Sequence, residues 1–439
     1  MIIYTHIKLK LILYSNKYIR RQIAMQNKLE QAINILERNN QLQVAKLIKV
    51  LNKEKQEKLV NQVLSIDFEQ LNNLYNKATQ KPEILEKKIE HIKYVDKNKL
   101  SEEELNLYKS EGEKIIKNNQ YAVVTMAGGQ GTRLGHKGPK GSFLLNVKPH
   151  PKYLFQILAE GLIKANQKYN VILPWYIMTS TENNDETIKF FEDNNYFGYD
   201  KNYIKFFEQG NLPLILENGK LVIDKDYSIK LASDGNGSIY KAMRKNGILD
   251  DMRKRGIKWI FIGAVDNALL NMVDPVLVGL TIVQGNETAS KSIAKKDPTE
   301  KVGAFCKANG VPAVIEYSEL PKEMAQLRDE NGELLYGEAH IMCNLFTLDA
   351  IEKVSMQDLE YHVANKKTGY MDENNNFVEV TEPNAYKFEA FIFDAFNYFD
   401  SISVLRGKRE EDFAPVKNKE GNDSPETAVK LYNDYHMND

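Results

Sequence analysis

The apolar positions along this chain change period as the chain is followed. From Gln26 to about Ala78 they recur at helical spacing: Ile33 and Leu36; Leu47, Ile48 and Leu51; Leu59, Val63 and Ile66; Leu71, Leu74 and Tyr75. The spacing predicts a helical N-terminal region over residues 25–100, with an apolar stripe that docks onto the main domain rather than onto a partner or a membrane. Asp67 followed by Gln70 resembles a capping box opening the last of these helices. Ser101 followed by Glu104 opens another helix, which runs to about Asn118. Short apolar runs then alternate with helical stretches. Tyr121–Met126, Val171–Met178, Tyr203–Phe207 and Trp259–Ile262 read as strands, Tyr153–Gln167 and Ser238–Arg255 as helices, the latter closed by Gly256. This alternation predicts an α/β domain over residues 101–405 with a mixed, mostly parallel sheet. From about Ala289 the runs shorten to Val302–Cys306 and Ala313–Tyr317, with a turn at Asp329–Gly332, and are expected to cover the open sheet edge where a substrate pocket forms. A short C-terminal segment, 406–439, holds Lys417 and a last helix near Glu426.

Composition narrows the function class. The 439 residues suit about two or three domains, and 42% hydrophobic with 27% charged residues is ordinary for a globular protein. A formal net charge of −1 argues against a general nucleic-acid binder, which carries a basic excess. Cys306 and Cys343 are too few for a disulfide scaffold and lack metal-ligand spacing, so both are expected to be reduced. No run approaches the ~20 apolar residues that span a bilayer, so no membrane partner is expected. Residues 1–24 mix Ile, Leu and Tyr with Lys8, Lys10, Lys17, Arg20 and Arg21 and lack a small-residue cleavage site. A secretory signal is not expected there. A start wrongly placed upstream of Met25 accounts for the segment as well as any function, and the expected location is cytoplasmic.

The most informative stretch is Ala127–Lys140 (AGGQGTRLGHKGPK), which follows directly on a predicted strand. Its glycines let backbone N–H groups approach a phosphate and form an anion-binding nest, and Arg133 and Lys140 add fixed positive charge. Without a ligand the same stretch would be a tight turn with two solvated cations. It is no Walker A loop, because no Gly-Lys-Ser/Thr closes it. It is no dinucleotide fingerprint either: Leu134 stands in the third glycine's place and Pro139 where the crossover helix should run, which makes an NAD enzyme a poor fit. Asp266 ends an apolar strand, where ligands bind in open α/β sheets, and suits a hard cation or, more simply, the cap of the next turn. Asp234–Ser238 (DGNGS) is a turn that could present Gly235 N–H and the Asn236 amide. Gln209 ends the run Phe206–Gly210 with an amide able to pair with a nucleobase edge. Alone, each of these last two is weak.

Together and in this order these motifs resemble the eukaryotic-type UDP-N-acetylhexosamine pyrophosphorylases, within the UDP-sugar pyrophosphorylase family. The resemblance runs from about Glu57 to about Tyr432 and includes Pro174–Ser180, Ala232–Gly237, Val265–Asn267, Pro298–Gly303, Val314–Glu319, Phe391–Asp394 and Phe413–Asn418. It implies a Rossmann-like, GT-A-like nucleotide-diphospho-sugar transferase fold. It also implies UTP and a sugar 1-phosphate as substrates, with N-acetylglucosamine 1-phosphate first. The backbone of Met126, Ala127, Gly128 and Gly129 would hold the nucleotide. Arg133 and Lys140 would neutralise the triphosphate, with Lys417 reaching the phosphates from the C-terminal side. Gln209 and Gly235 would contact uracil. Asp266 would ligate Mg²⁺, with Mn²⁺ as an alternative. Asn236, Gly303, Glu316 and the Phe391/Phe393 region would hold the sugar. Two departures stand out. The family usually carries an Asn facing the acetamido group where this chain has His340, which leaves UTP–glucose-1-phosphate or broad UDP-sugar activity open. A core histidine with a rebuilt pocket is the plainer account of the same residue. Eukaryotic members also continue into a small C-terminal β domain, whereas this chain ends soon after Asp423–Glu426, so a monomer or weak homo-oligomer is expected.

The implied chemistry needs no general base, because a phosphate monoester with a second pKa of ~6 is already an anion. The missing Ser-His-Asp or Cys-His set therefore does not count against an enzyme. A catalytically silent nucleotide-sugar binder remains the alternative of another class. Retention of Arg133, Lys140 and Asp266 together speaks against it, since binding alone does not require them all.

Overall fold

A computed structural model describes residues 23–80 and 88–437. The extension over residues 1–24 lies outside the described residues except for its last two positions. The chain divides into two compact units, each assembled from three stretches. The described residues of the first come from 23–80, 211–234 and 361–389, and those of the second from 88–210, 235–360 and 390–437. The boundaries drawn from the sequence after residues 100 and 405 do not coincide with these cuts.

In the first unit residues 23–38 are helical, followed by helices Leu42–Val50, Lys53–Ser65 and Phe68–Thr79. Asp67 accepts from the Gln70 N–H, so half of the expected capping box is formed. The apolar stripe, with Leu36, Leu47, Ile48, Leu59, Val63, Leu71 and Leu74 buried, packs on Ile215, Leu221, Ile223, Ile229 and Phe388. The stripe is therefore covered by two later stretches of its own unit, which the sequence reading placed in the catalytic domain.

The second unit is built on an eleven-stranded sheet. Its long strands are β1 (Tyr121–Met126), β2 (Trp175–Thr179), β3 (Ile204–Glu208), β4 (Trp259–Ala264), β5 (Thr288–Ala294), β6 (Glu338–Thr347) and β7 (Ser403–Arg406). They lie in the order β7-β5-β6-β4-β1-β2-β3. β3, β2, β1 and β4 are parallel neighbours, and β7 runs parallel to β5. β6 alone is antiparallel, to both β4 and β5. β1 and β2 are buried at every position, as continuous apolar strands of a sheet covered on both faces should be. Of these seven long strands all except β6 point the same way, so the loops after β1, β2, β3 and β4 emerge at one edge.

Differences from the expected elements have local causes. The helix Ser238–Arg255 is two helices, Ile239–Lys245 and Ile248–Lys254, because Gly247 takes a left-handed φ of 68° between them. The run from Val171 forms a strand only after Pro174. The two short strands are Ala304–Ala308 and Val311–Ile315. Ser101 and Glu104 form the full capping box, opening the helix Glu102–Lys117.

That helix crosses Pro275–Val283 at backbone contact. A Cβ on Gly279 would lie 1.7 Å from the Tyr108 carbonyl oxygen, and one on Gly112 would lie 1.9 Å from that of Pro275. Neither obstacle is a side chain that can swing away. Gly279→Ala must force the helices apart and is expected to cost about 1–3 kcal/mol or more, as overpacking does. A thermal melt unchanged by the substitution would show that the crossing is not so close.

Candidate functional site

The sequence-predicted residues gather at the edge where the parallel strands end, the usual ligand-binding edge of an open α/β sheet. The glycine loop leaves β1 and is closed on itself: Gly131 N–H donates to Gly138 O at 3.0 Å and Lys140 N–H to Gly129 O at 3.0 Å. Asn183, in the loop after β2, donates from Nδ2 to Ala127 O at 3.0 Å. The nest is narrower than expected, because Ala127 N–H is already spent on Met178 O at 2.7 Å, and Met126 and Ala127 are buried. The N–H groups of Gly128 and Gly129 have no backbone acceptor among the described residues. Gln209, after β3, lies across Gly128, where a Cβ would come within 2.8 Å of its amide. The base-reading candidate and the phosphate loop are thus adjacent.

Asp266 follows β4. Its Oδ2 accepts from Lys140 Nζ at 2.8 Å, an ion pair about four-fifths buried on each side. Burial alone would raise the Asp266 carboxyl, but the Lys140 and Lys417 ammonium groups and the Lys140 hydrogen bond hold it below its ordinary value. Asp266 O also accepts from Val416 N–H at 2.8 Å, which brings the C-terminal segment alongside. Lys417 itself is 3.9 Å from Asp423 and 40% exposed. Arg133, on the turn Thr132–Leu134, is exposed and has no ion-pair partner among the described residues.

A second group forms where β6 begins. Gly303 O accepts from His340 N–H at 2.9 Å, and a Cβ on Gly303 would be 3.5 Å from Glu316 Oε1. The His340 ring stands edge-on to Phe393, Phe305 and Phe396, and Phe393 stacks on Phe391 at 5.1 Å. Asn236 Oδ1 accepts from Ile392 N–H at 2.9 Å, tying the DGNGS turn to that aromatic segment. Gly235, with φ 92°, presses so near Ala390 that a Cβ would be 2.2 Å from its carbonyl oxygen. Asn236, Gly303, Glu316, His340, Phe391 and Phe393 are therefore brought into one neighbourhood.

Two features of this wall gave no sequence signal. Met342 adopts φ 58°, rare for a side-chain-bearing residue, at a bulge where the register of β5 and β6 shifts between Ser290 and Ser292. The bulge lets His340 Nε2 donate to Asn344 Oδ1 at 2.9 Å, and Ser290 Oγ donates to the same oxygen at 3.0 Å. Asn344 Nδ2 is buried with no hydrogen-bond partner, a donor that water or a ligand could satisfy.

No cluster of three or more acidic, His or Cys side chains able to hold a metal occurs among the described residues. Mg²⁺ takes few protein ligands and completes its shell with phosphate oxygens and water, so the single carboxylate of Asp266 fits that ion but not a cation needing a protein cage. Neither Cys306 nor Cys343 forms a disulfide, and both are buried.

The family described as UTP–glucose-1-phosphate uridylyltransferase matches residues 65–424. The chain belongs to this family. A probable UDP-N-acetylglucosamine pyrophosphorylase of Dictyostelium discoideum is 36% identical over 408 residues, covering 88% of this chain and 84% of that one. The UDP-N-acetylhexosamine pyrophosphorylase-like protein 1 of Homo sapiens is 39% identical over 332 residues, 73% of this chain; the match spans about two thirds of the human protein, 65%. The structure is similar to that of the uridine diphosphate N-acetylglucosamine pyrophosphorylase of Trypanosoma brucei, with a TM-score of 0.80, 29% identity and coverage of 92% and 84%.

Burial holds the His340 imidazole down to about 4 from 6.5, with Lys417 adding to the effect and the Asn344 hydrogen bond opposing it. The unfolded chain takes up this proton near its ordinary pKa and the folded chain only near 4. The stability from neutral His340 is therefore complete above about pH 6.5 and drains away as pH falls toward 4, by on the order of 3 kcal/mol. His340→Asn is expected to lose less stability than the wild type between about pH 7 and about pH 4.5, measured by urea unfolding. Equal losses in the two proteins would mean that His340 is not held neutral.

Proposed function

We propose that this chain is a uridylyltransferase that joins UTP to N-acetylglucosamine 1-phosphate and releases diphosphate. The observation that carries this reading is the grouping of Lys140, Asp266 and Lys417 beside an anion-ready glycine loop, with the aromatic-edged His340 near enough to feel the Lys417 charge. A phosphate oxygen of the sugar 1-phosphate attacks the α-phosphorus of UTP. The new P–O bond forms as the bond to the diphosphate breaks, and no proton has to move. The barrier is the meeting of two anions, so positioning and charge neutralisation are the protein's tasks.

In this reading Gly128 and Gly129 donate their N–H groups to the nucleotide phosphates and Gln209, with Gly235, reads the uracil. Lys140 and Arg133 neutralise the departing diphosphate, and Lys417 reaches the phosphates from the C-terminal segment. Lys140 must exchange its contact with Asp266 for phosphate oxygens, which leaves that carboxylate free for Mg²⁺. Bound there, the ion would supply further charge neutralisation between the two substrates. Asn236, Gly303, Glu316, Phe391 and Phe393 hold the sugar, with His340 at the acetamido side. His340 donates to Asn344 from Nε2 and is neutral, so it behaves there as a polar, uncharged group. UTP–glucose-1-phosphate activity is the second reading, favoured by the matched family's description. No helix among the described residues is long and apolar enough to cross a membrane, and two cysteines outside any disulfide suit the reducing cytoplasm where this reading places the reaction.

The test is diphosphate release from UTP and Mg²⁺ with N-acetylglucosamine, N-acetylgalactosamine and glucose 1-phosphates in parallel. N-acetylated sugars are expected to be preferred. Preference for glucose 1-phosphate would transfer the assignment to the second reading, and silence with all three would leave a nucleotide-sugar binder. Lys140→Ala is expected to lower kcat roughly 10²–10³-fold without loss of fold, and Asp266→Asn to abolish activity or its metal response. Near wild-type turnover in either variant would remove that residue from the site.

A further inference from the structure

Lys291 on β5 is 1% exposed, and its ammonium group is held between two carboxylates, Asp274 Oδ2 at 2.7 Å and Asp412 Oδ1 at 2.6 Å. Burial alone would lower its pKa, but both acids hold it well above the ordinary lysine value, so it is charged. A buried ion pair of this kind is seldom a source of net stability and is better understood by what it fixes in place. Asp274 has a role of its own, capping the helix Pro275–Val283 by accepting from the Val276 N–H at 2.9 Å. Asp412 accepts from no backbone N–H among the described residues.

Asp412 instead marks the start of a strap. Its carbonyl accepts from Asn267 Nδ2 at 2.7 Å, and Asn267 Oδ1 accepts from Ala414 N–H at 2.8 Å. Ala268 N–H donates to Ala414 O at 3.0 Å and Val416 N–H to Asp266 O at 2.8 Å. The next residue is Lys417. Residues 412–416 are thus laid along 266–268, with one end anchored on a buried cation and the other leading into the half-buried Lys417.

We propose that the Lys291–Asp412 pair is a positioning device for Lys417, anchoring the strap that sets this lysine beside Asp266. The proposal rests on the reading that Lys417 contacts the triphosphate. It makes Asp412 a positioning residue that acts on the nucleotide only through Lys417, across the strap.

The test is the affinity for UTP in Mg²⁺, by isothermal titration calorimetry, for the wild type, Asp412→Asn, Lys417→Ala and the double variant. Each single substitution is expected to weaken binding about tenfold, and the double variant to bind no more weakly than Lys417→Ala alone, because positions that act as one unit are not additive. A merely structural role for Asp412 would give losses that add. Additive losses, or wild-type affinity in Asp412→Asn, would overturn the proposal. If Asp412→Asn does not fold, Gly407→Ala replaces it: the new Cβ would lie 1.9 Å from Asp412 Oδ2 and displace that carboxylate without changing charge. The same non-additivity with Lys417→Ala is expected. Unchanged affinity in Lys417→Ala would defeat the proposal by leaving nothing to position, while turnover with each sugar 1-phosphate, measured on the same samples, reports separately on the proposed reaction.

Discussion

Strand polarity is the constraint on which the site depends. β1 to β4 are parallel neighbours, so the glycine loop, Asn183, Gln209 and Asp266 all leave the sheet at the same edge. Reversing any one of them would carry its loop to the opposite edge. The one long strand that runs antiparallel, β6, obeys the same requirement in reverse: its first residues, not its last, reach that edge, and His340 is among them. Two groups of side chains from distant parts of the sequence meet because hydrogen-bonding direction sorts strand ends, not because any loop is long enough to search for its partner.

The electrostatics follow from that placement. A carboxylate at the strand ends is held by Lys140 at 2.8 Å and felt by Lys417, so part of the positive charge there is already paired. In the proposed reaction an incoming triphosphate would compete with Asp266 for the same ammonium groups. Such an arrangement lets the protein keep its cations ordered before the substrate arrives, which reduces the reorganisation left for the reaction itself. The neighbouring wall is built differently, from aromatic edges around a neutral histidine.

Much of this was legible in the residues because it is local. The apolar run Tyr121–Met126 before a glycine cluster, the Ser101–Glu104 box and Asp266 at the end of an apolar strand are all short-range signals, and each has its expected place. What was hidden is long-range or depends on backbone detail. Residues 211–234 and 361–389 join the N-terminal helices through strands of a few residues that pair far along the chain, and such strands leave no periodicity. Lys291 in TASKSIA looks like the solvated position of an alternating strand, yet it is buried because two acids from other elements converge on it. The left-handed Met342 that joins His340 to Asn344 has no signature, since methionine is not a residue that favours such a turn.

The central claim is that a sugar 1-phosphate attacks UTP at its α-phosphorus. The most direct measurement supplies UTP radiolabelled at the α-phosphorus, or in a parallel reaction at the γ-phosphorus, and follows where the label goes. The account predicts α-label in the nucleotide sugar and γ-label in the released diphosphate. Release of γ-label as inorganic phosphate, with no α-label transferred to sugar, would contradict it.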